Sequence, residues 1–220
     1  MRKKLLLIIS CLGICISMFM LFSQQINHSL VKHNQQTEIK KLTPKKIAQN
    51  KRKKATYDFS KVKPANLTTT VTSYAKPQTA GIGLIAIPAV NLNLPVMKGV
   101  SNYALSTGGG TMRPNETMGQ GNYALAGHYM TNSGILFSPI ENAQKGQLVY
   151  LSDLTHLYTY RIYSKRKVSP HAVWLVNDTA KPIITLITCA DGGSNRWAVR
   201  GNLIKSQKAS NKQLDQIFGY

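Results

Sequence analysis

The sequence predicts an all-β domain behind a single N-terminal apolar segment. Three observations carry this expectation. From about Tyr74 onward the apolar residues fall in short runs bounded by Gly, Asn or Pro, with the length and punctuation of strands rather than helices. Sustained helical periodicity is nearly absent from the same region. Ahead of it lie one uncharged apolar stretch and one basic, polar stretch. About eight strands in roughly 150 residues fit a closed barrel or a sandwich, and periodicity does not choose between them.

The N-terminal stretch reads as a membrane anchor. Arg2-Lys3-Lys4 precedes Leu5–Phe22, 18 residues without a charge, long enough to cross a bilayer core as a helix. The run ends Phe22-Ser23-Gln24-Gln25 with no small-x-small pattern, which favours an uncleaved signal-anchor (1–23) over a cleaved signal peptide. Three basic residues precede the run, and only Lys32 lies in the ten that follow. That bias places the N-terminus in the cytoplasm and the folded domain outside. Lys40, Lys41 and the later basic cluster argue weakly the other way.

Residues 24–64 are polar, with no aromatic side chain before Tyr57. Such a segment lacks the apolar surface to order itself, and the expectation is a stalk. Ile39, Leu42 and Ile47 form a weak amphipathic pattern that suits a short helix on anionic lipid, and His28 and His33 read as solvated linker. Of the net charge of +20, residues 1–64 supply +12, with 14 Lys and Arg against 2 acids. That excess suits anionic lipid or nucleic acid, but a solvated, charge-extended linker explains it more simply. No nucleic-acid partner is expected.

In the domain (65–220) the strand candidates are Gly83–Ile87, Leu92–Val96, Asn122–Ala126, Leu148–Leu151, Leu157–Tyr163, Ile183–Ile187 and Trp197–Leu203. Phe137–Ala143 reads as a short helix. Cys189 is the one cysteine outside the N-terminal run, which holds Cys11 and Cys15, so the folded part has no disulfide framework. Cysteine is commonly a buried structural residue. Here it stands where the apolar strand Thr185-Leu186-Ile187-Thr188 meets a Gly192-Gly193 loop, with Arg196 and Arg200 close behind. Cationic neighbours favour a reactive thiolate. His128 ends the strand Ala124-Leu125-Ala126-Gly127 and can exchange a proton with a leaving amine. His156 and His171 read as surface residues in a turn and a loop. If 190–195 is a hairpin loop, Arg196 begins the return strand level with Cys189, placed to stabilise an oxyanion. Arg200 shares its strand face, farther along. No C-x-x-C, H-E-x-x-H or phosphate-cradling loop occurs, and Gly108–Gly110 lacks the lysine of such a loop.

Taken together, TLITC (Thr185–Cys189), LAGH (Leu125–His128) and NRWAVRG (Asn195–Gly201) resemble the sortases of Gram-positive bacteria. The segments from Gly83 to Gly110 and from Tyr57 to Pro64 extend the likeness, the latter toward the housekeeping, class A type. The resemblance implies an eight-stranded β-barrel on the outer membrane face that cleaves LPXTG-like signals between Thr and Gly. It implies Cys189 as nucleophile, His128 as proton carrier and Arg196 as electrostatic stabiliser. Ala126, Ile187 and Thr188 match groove positions. The acceptor it implies is an amine of the cell-wall precursor lipid II, the donors LPXTG-bearing surface proteins. The polar tail Ser206–Tyr220 disfavours the class C, pilin-assembling type, which often ends in a membrane helix. Some class A members bind calcium through several acids, but Thr107–Gln120 holds only Glu116, a poor site for a cation wanting 6–8 oxygens. No cofactor and no calcium requirement are expected. The competing readings are a non-catalytic, membrane-tethered β-domain binding anionic wall polymer or lipid, and a papain-like protease. The late, strand-borne cysteine weakens the second, and tolerance of Cys189→Ala would mark the first.

Overall fold

The computed structural model describes residues 2–75, 77, 80–130 and 134–220. Eight strands close into one barrel: β1 (Gly81–Ile87), β2 (Leu92–Met97), β3 (Gly109–Thr111), β4 (Asn122–Ala126), β5 (Leu148–Ser152), β6 (His156–Val168), β7 (Ile183–Ala190) and β8 (Asn195–Lys208). Their order around the barrel is β1-β2-β3-β4-β7-β8-β6-β5, and β5 returns to β1. Most neighbours are antiparallel, but β2 with β3 and β4 with β7 run parallel. The barrel is therefore the outcome of the two architectures that periodicity left open.

The strand β1 shows why its sequence is apolar on both faces. Ile85 and Ile87 point into the barrel core with Leu125, Leu151, Tyr160 and Leu186. Leu84 and Ala86 point outward beneath a second apolar layer. That layer comes from Leu42, from Ile47 of the short helix α2 (Pro44–Lys51), and from Leu214 and Phe218 of the short helix α5 (Asn211–Phe218). In α5, Ser210 and Gln213 form a capping box and Gly219 closes the C-terminus at φ 61°, so a polar tail carries a well-ended amphipathic helix.

The strand β3 is the glycine run. A Cβ on Gly110 would lie 2.3 Å from the Gly99 carbonyl oxygen, and one on Gly108 2.0 Å from that of Pro95. Glycine is there because backbone meets backbone, which gives the run a packing role. Pro95 is accommodated because β3 pairs with β2 only at Val96 and Met97, leaving no ladder donor missing at residue 95.

Residues 24–64 differ from the expected unordered stalk. One helix, α1, covers Arg2–Lys41, and it is followed by α2 and a 3-10 turn at Phe59–Lys61. Asn27, Val31 and Gln35 of α1 are buried, as are Leu42 and Ile47. Asn27, Val31 and Gln35 recur every four positions and place one stripe of α1 on the domain. Leu42 and Ile47 thus pack on the barrel instead of facing lipid. Two further helices, α3 (Leu67–Ala75) and α4 (Asn102–Thr107), pack together and against α1. Within α1 the axis bends by 45° between Ile9–Met18 and Leu21–Lys41. Among the described residues no single straight helix is long and apolar enough to cross a membrane, but this bent pair satisfies both criteria.

Candidate active site

The parallel pairing of β4 with β7 matches Ala126 to Ile187. Gly127 N–H then donates to the Ile187 carbonyl at 3.1 Å, and the Thr188 hydroxyl donates to the Gly127 carbonyl at 2.7 Å. Continuing that register one residue past Gly127 and Thr188 sets His128 level with Cys189, on strands about 4.8 Å apart. On the other side of β7, Cys189 is the direct antiparallel partner of Arg196. Three neighbouring strands therefore deliver histidine, cysteine and arginine in one row. Alternation turns this row outward, since Leu125, Leu186 and Val199 fill the core.

The row lies in a groove of about 1250 Å³ whose walls also include Ala126, Ile187 and Thr188. All six residues singled out in the sequence meet there. Thr188 is 2% exposed, and its hydroxyl is already bonded to Gly127. It therefore joins the His and Cys strands and offers the groove little surface. His156 and His171 are exposed and stand outside the groove. Other walls were not visible in the sequence. Val168–Pro170 and Ala172–Val176 bring the β6–β7 connection, Tyr57–Leu67 brings the segment after α2, and Ser23–His28 brings α1. Tyr57–Pro64 was singled out only for its likeness to the class A lead-in segment.

Glycine at 127 is a local requirement, because a Cβ there would sit 2.4 Å from the Phe137 ring. That ring is fully buried under the site, and Phe137 N–H holds the His128 carbonyl at 3.1 Å. Burial lowers the His128 pKa to about 4, so the imidazole is neutral at pH 7. Its Nε2 has no protein hydrogen-bond partner. The thiol of Cys189 is free and half-buried.

Arg196 is oriented by its own loop. Its Nη1 donates to the carbonyls of Gly193 (2.6 Å) and Asn195 (2.8 Å). The loop turns through left-handed backbone at Asp191, Gly192 and Gly193. Asp191 anchors it by accepting from Lys167 Nζ at 2.6 Å and Asn195 Nδ2 at 2.9 Å, and these bonds hold its carboxyl below the usual range.

Glu116 lies away from the groove with its side chain 1% exposed, 3.3 Å from Arg113 Nε. Burial pushes its pKa up to about 8 against the opposing pull of Arg113. A guanidinium already stands at this carboxylate, and among the described residues no three His, Cys, Asp or Glu side chains cluster as metal ligands.

Residues 85–204 match the sortase domain family. The chain is 40% identical to sortase A of Streptococcus agalactiae over 90% of its own length and 83% of that protein. It is 34% identical to sortase A of Listeria monocytogenes over 99% of its length and 98% of that protein. The solved structure of Listeria monocytogenes sortase A superposes with a TM-score of 0.62 at 37% identity, covering 64% of this chain and 98% of that one. A closed barrel of this strand order, together with that extent of similarity, makes the chain a member of the sortase family.

Proposed function

We propose that Cys189, His128 and Arg196 carry out the reaction of this sortase, a transpeptidase that cleaves LPXTG-type sorting signals and anchors surface proteins to the cell wall. The observation that supports the assignment is the single row across β4, β7 and β8, set by the Ala126–Ile187 and Cys189–Arg196 pairings.

The neutral imidazole is in the form that accepts a proton. Cys189 Sγ attacks the threonine carbonyl carbon while His128 takes the thiol proton. The carbonyl electron pair moves to oxygen, and Arg196 stabilises the charge with the guanidinium donors that its loop bonds leave free. The intermediate collapses with cleavage of the Thr–Gly bond, and His128 passes its proton to the departing glycine amine. A thioacyl enzyme remains. An incoming amine then attacks the thioester, its proton goes to His128, and the sulfur leaves and recovers that proton. Ala126 and Ile187 line the groove beside the acyl group, and Thr188 fixes the strand pair from within.

The acceptor in this reading is an amine of lipid II or of the peptidoglycan cross-bridge. The protein is a membrane-anchored, cell-surface enzyme. Its finer topology in this reading is a single pass through the bent N-terminal helix, with the N-terminus cytoplasmic and the barrel outside. The reaction proceeds without calcium or another cofactor.

The test is incubation of the enzyme with an LPXTG peptide and hydroxylamine. A threonine hydroxamate that disappears with Cys189→Ala is the expected product. A folded enzyme that gives none with any LPXTG variant refutes the assignment.

A further inference from the structure

Four polar residues of α1, Ser23, Gln24, Asn27 and His28, line the same groove as Cys189 and His128. Their spacing of one, three and one positions puts them on one face of the helix. That face continues as the stripe that docks α1 on the barrel. Val31 packs fully buried against Met130, Ile135 and Leu136, which belong to the chain leaving His128. Farther along, the Glu38 carboxylate accepts from Gly81 N–H at 2.9 Å. These contacts, both C-terminal to the groove segment, dock α1 on the barrel and make the segment a wall of the groove.

Asn27 is the informative residue. It is 5% exposed, and its Nδ2 donates to the Ala65 carbonyl at 3.2 Å. That bond fixes the amide orientation, yet Oδ1 has no hydrogen-bond partner. A buried amide oxygen left unpaired is costly and invites a donor. An extended peptide carries one backbone N–H per residue, and each needs an acceptor once the groove removes it from water.

We propose that Asn27 is a substrate-binding residue whose Oδ1 accepts a backbone N–H of the sorting-signal peptide, making the anchor helix one wall of the peptide site. This rests on the transpeptidase reading above. It also places the groove close to the bilayer. The apolar run ends at Phe22, and six residues of helix to His28 span about 9 Å.

The experiment uses the full chain in nanodiscs, with an LPXTG peptide as donor and a glycine peptide as acceptor. Asn27→Leu keeps the size and removes both the acceptor and the donor to Ala65, whereas Asn27→Asp loses that donor but keeps an acceptor. Asn27→Leu is expected to raise KM for the LPXTG peptide about tenfold, with the acceptor KM unchanged. Asn27→Asp restores most of the loss. Alkylation of Cys189 by iodoacetamide proceeds at the parent rate in both, which reports an intact site. Ser29 is exposed on α1, and Ser29→Leu is expected to behave as the parent. A donor KM within twofold of the parent in Asn27→Leu overturns the proposal. So does an equal rise in donor and acceptor KM, or the same rise in Ser29→Leu. A parent inert toward every LPXTG peptide overturns the transpeptidase reading and this inference with it, whereas an active parent with unmoved variants overturns this inference alone.

Discussion

Cys189 and Arg196 face each other directly across the β7–β8 ladder, while Arg200, on the same strand, faces Thr185. Four residues at about 3.3 Å each put the second guanidinium roughly 13 Å from the first. Arg196→Ala is therefore expected to lower the rate of hydroxylaminolysis by about 10²–10³-fold, the usual loss for one oxyanion donor. Arg200→Ala should cost less than about tenfold on the same scale. Equal losses would place the stabilising cation elsewhere.

Thr188 joins the two strands that carry Cys189 and His128. Thr188→Val keeps the shape but removes the donor to the Gly127 carbonyl, which then lacks that partner in a buried setting. A stability loss of about 1–2 kcal/mol is expected. It should be accompanied by a fall in kcat larger than any change in KM. Denaturant unfolding and steady-state kinetics read the two effects. Unchanged kcat would show that the strand pair holds its register without this bond.

Burial lowers the pKa of His128 from 6.5 to about 4. The unfolded chain binds the proton first, so this group costs the protein stability as pH falls from about 6.5 to 4. Above 6.5 its contribution is constant. His128→Gln is expected to flatten the fall in Tm across that acid range and to abolish turnover. A titration of the His128 ring by NMR with a midpoint near 6.5 would contradict the half-buried, neutral imidazole.

Glu116 has the opposite sign. Its pKa rises from 4.5 to about 8 in the folded protein, so the native state holds the proton more tightly. Stability contributed by this group declines as pH rises from about 4.5 to 8 and is level beyond it. Glu116→Gln should remove that decline and raise Tm at pH 8 relative to the parent. A parallel pair of Tm–pH curves would show that Glu116 is ionised beside Arg113. Chelation is expected to leave activity unchanged, and a several-fold gain on adding Ca²⁺, lost in Glu116→Ala, would reverse the expectation.

The strands were legible where side chains alternate or crowd, as at β1, β4 and β7. The hairpin loop between Cys189 and Arg196 was legible as well, because its glycines interrupt two dense runs. In the glycine run at β3, Gly108 and Gly110 have no side chains to form a pattern, and their role appears only when Pro95 and Gly99 come near. The docking of α1 was hidden for another reason. Its docked stripe is built partly from buried Asn27 and Gln35 and half-buried Glu38, residues that read as solvated in a chain. In the tail, Leu214 and Phe218 make a one-turn apolar pair too brief to stand out. The far walls of the groove depend on segments distant in sequence, and no local signal marks them.

The parallel pairing of β4 with β7 has a consequence for how the enzyme matures. The two strands are separated by all of β5 and β6, so their junction is a non-local contact that must wait for a large loop to close. Arg196 waits longer still, since β8 is the last strand. Along the chain the histidine comes first, the thiol later and the arginine last. The three groups form one working centre only once the barrel has closed, so the site is a product of the completed fold and not of any single hairpin.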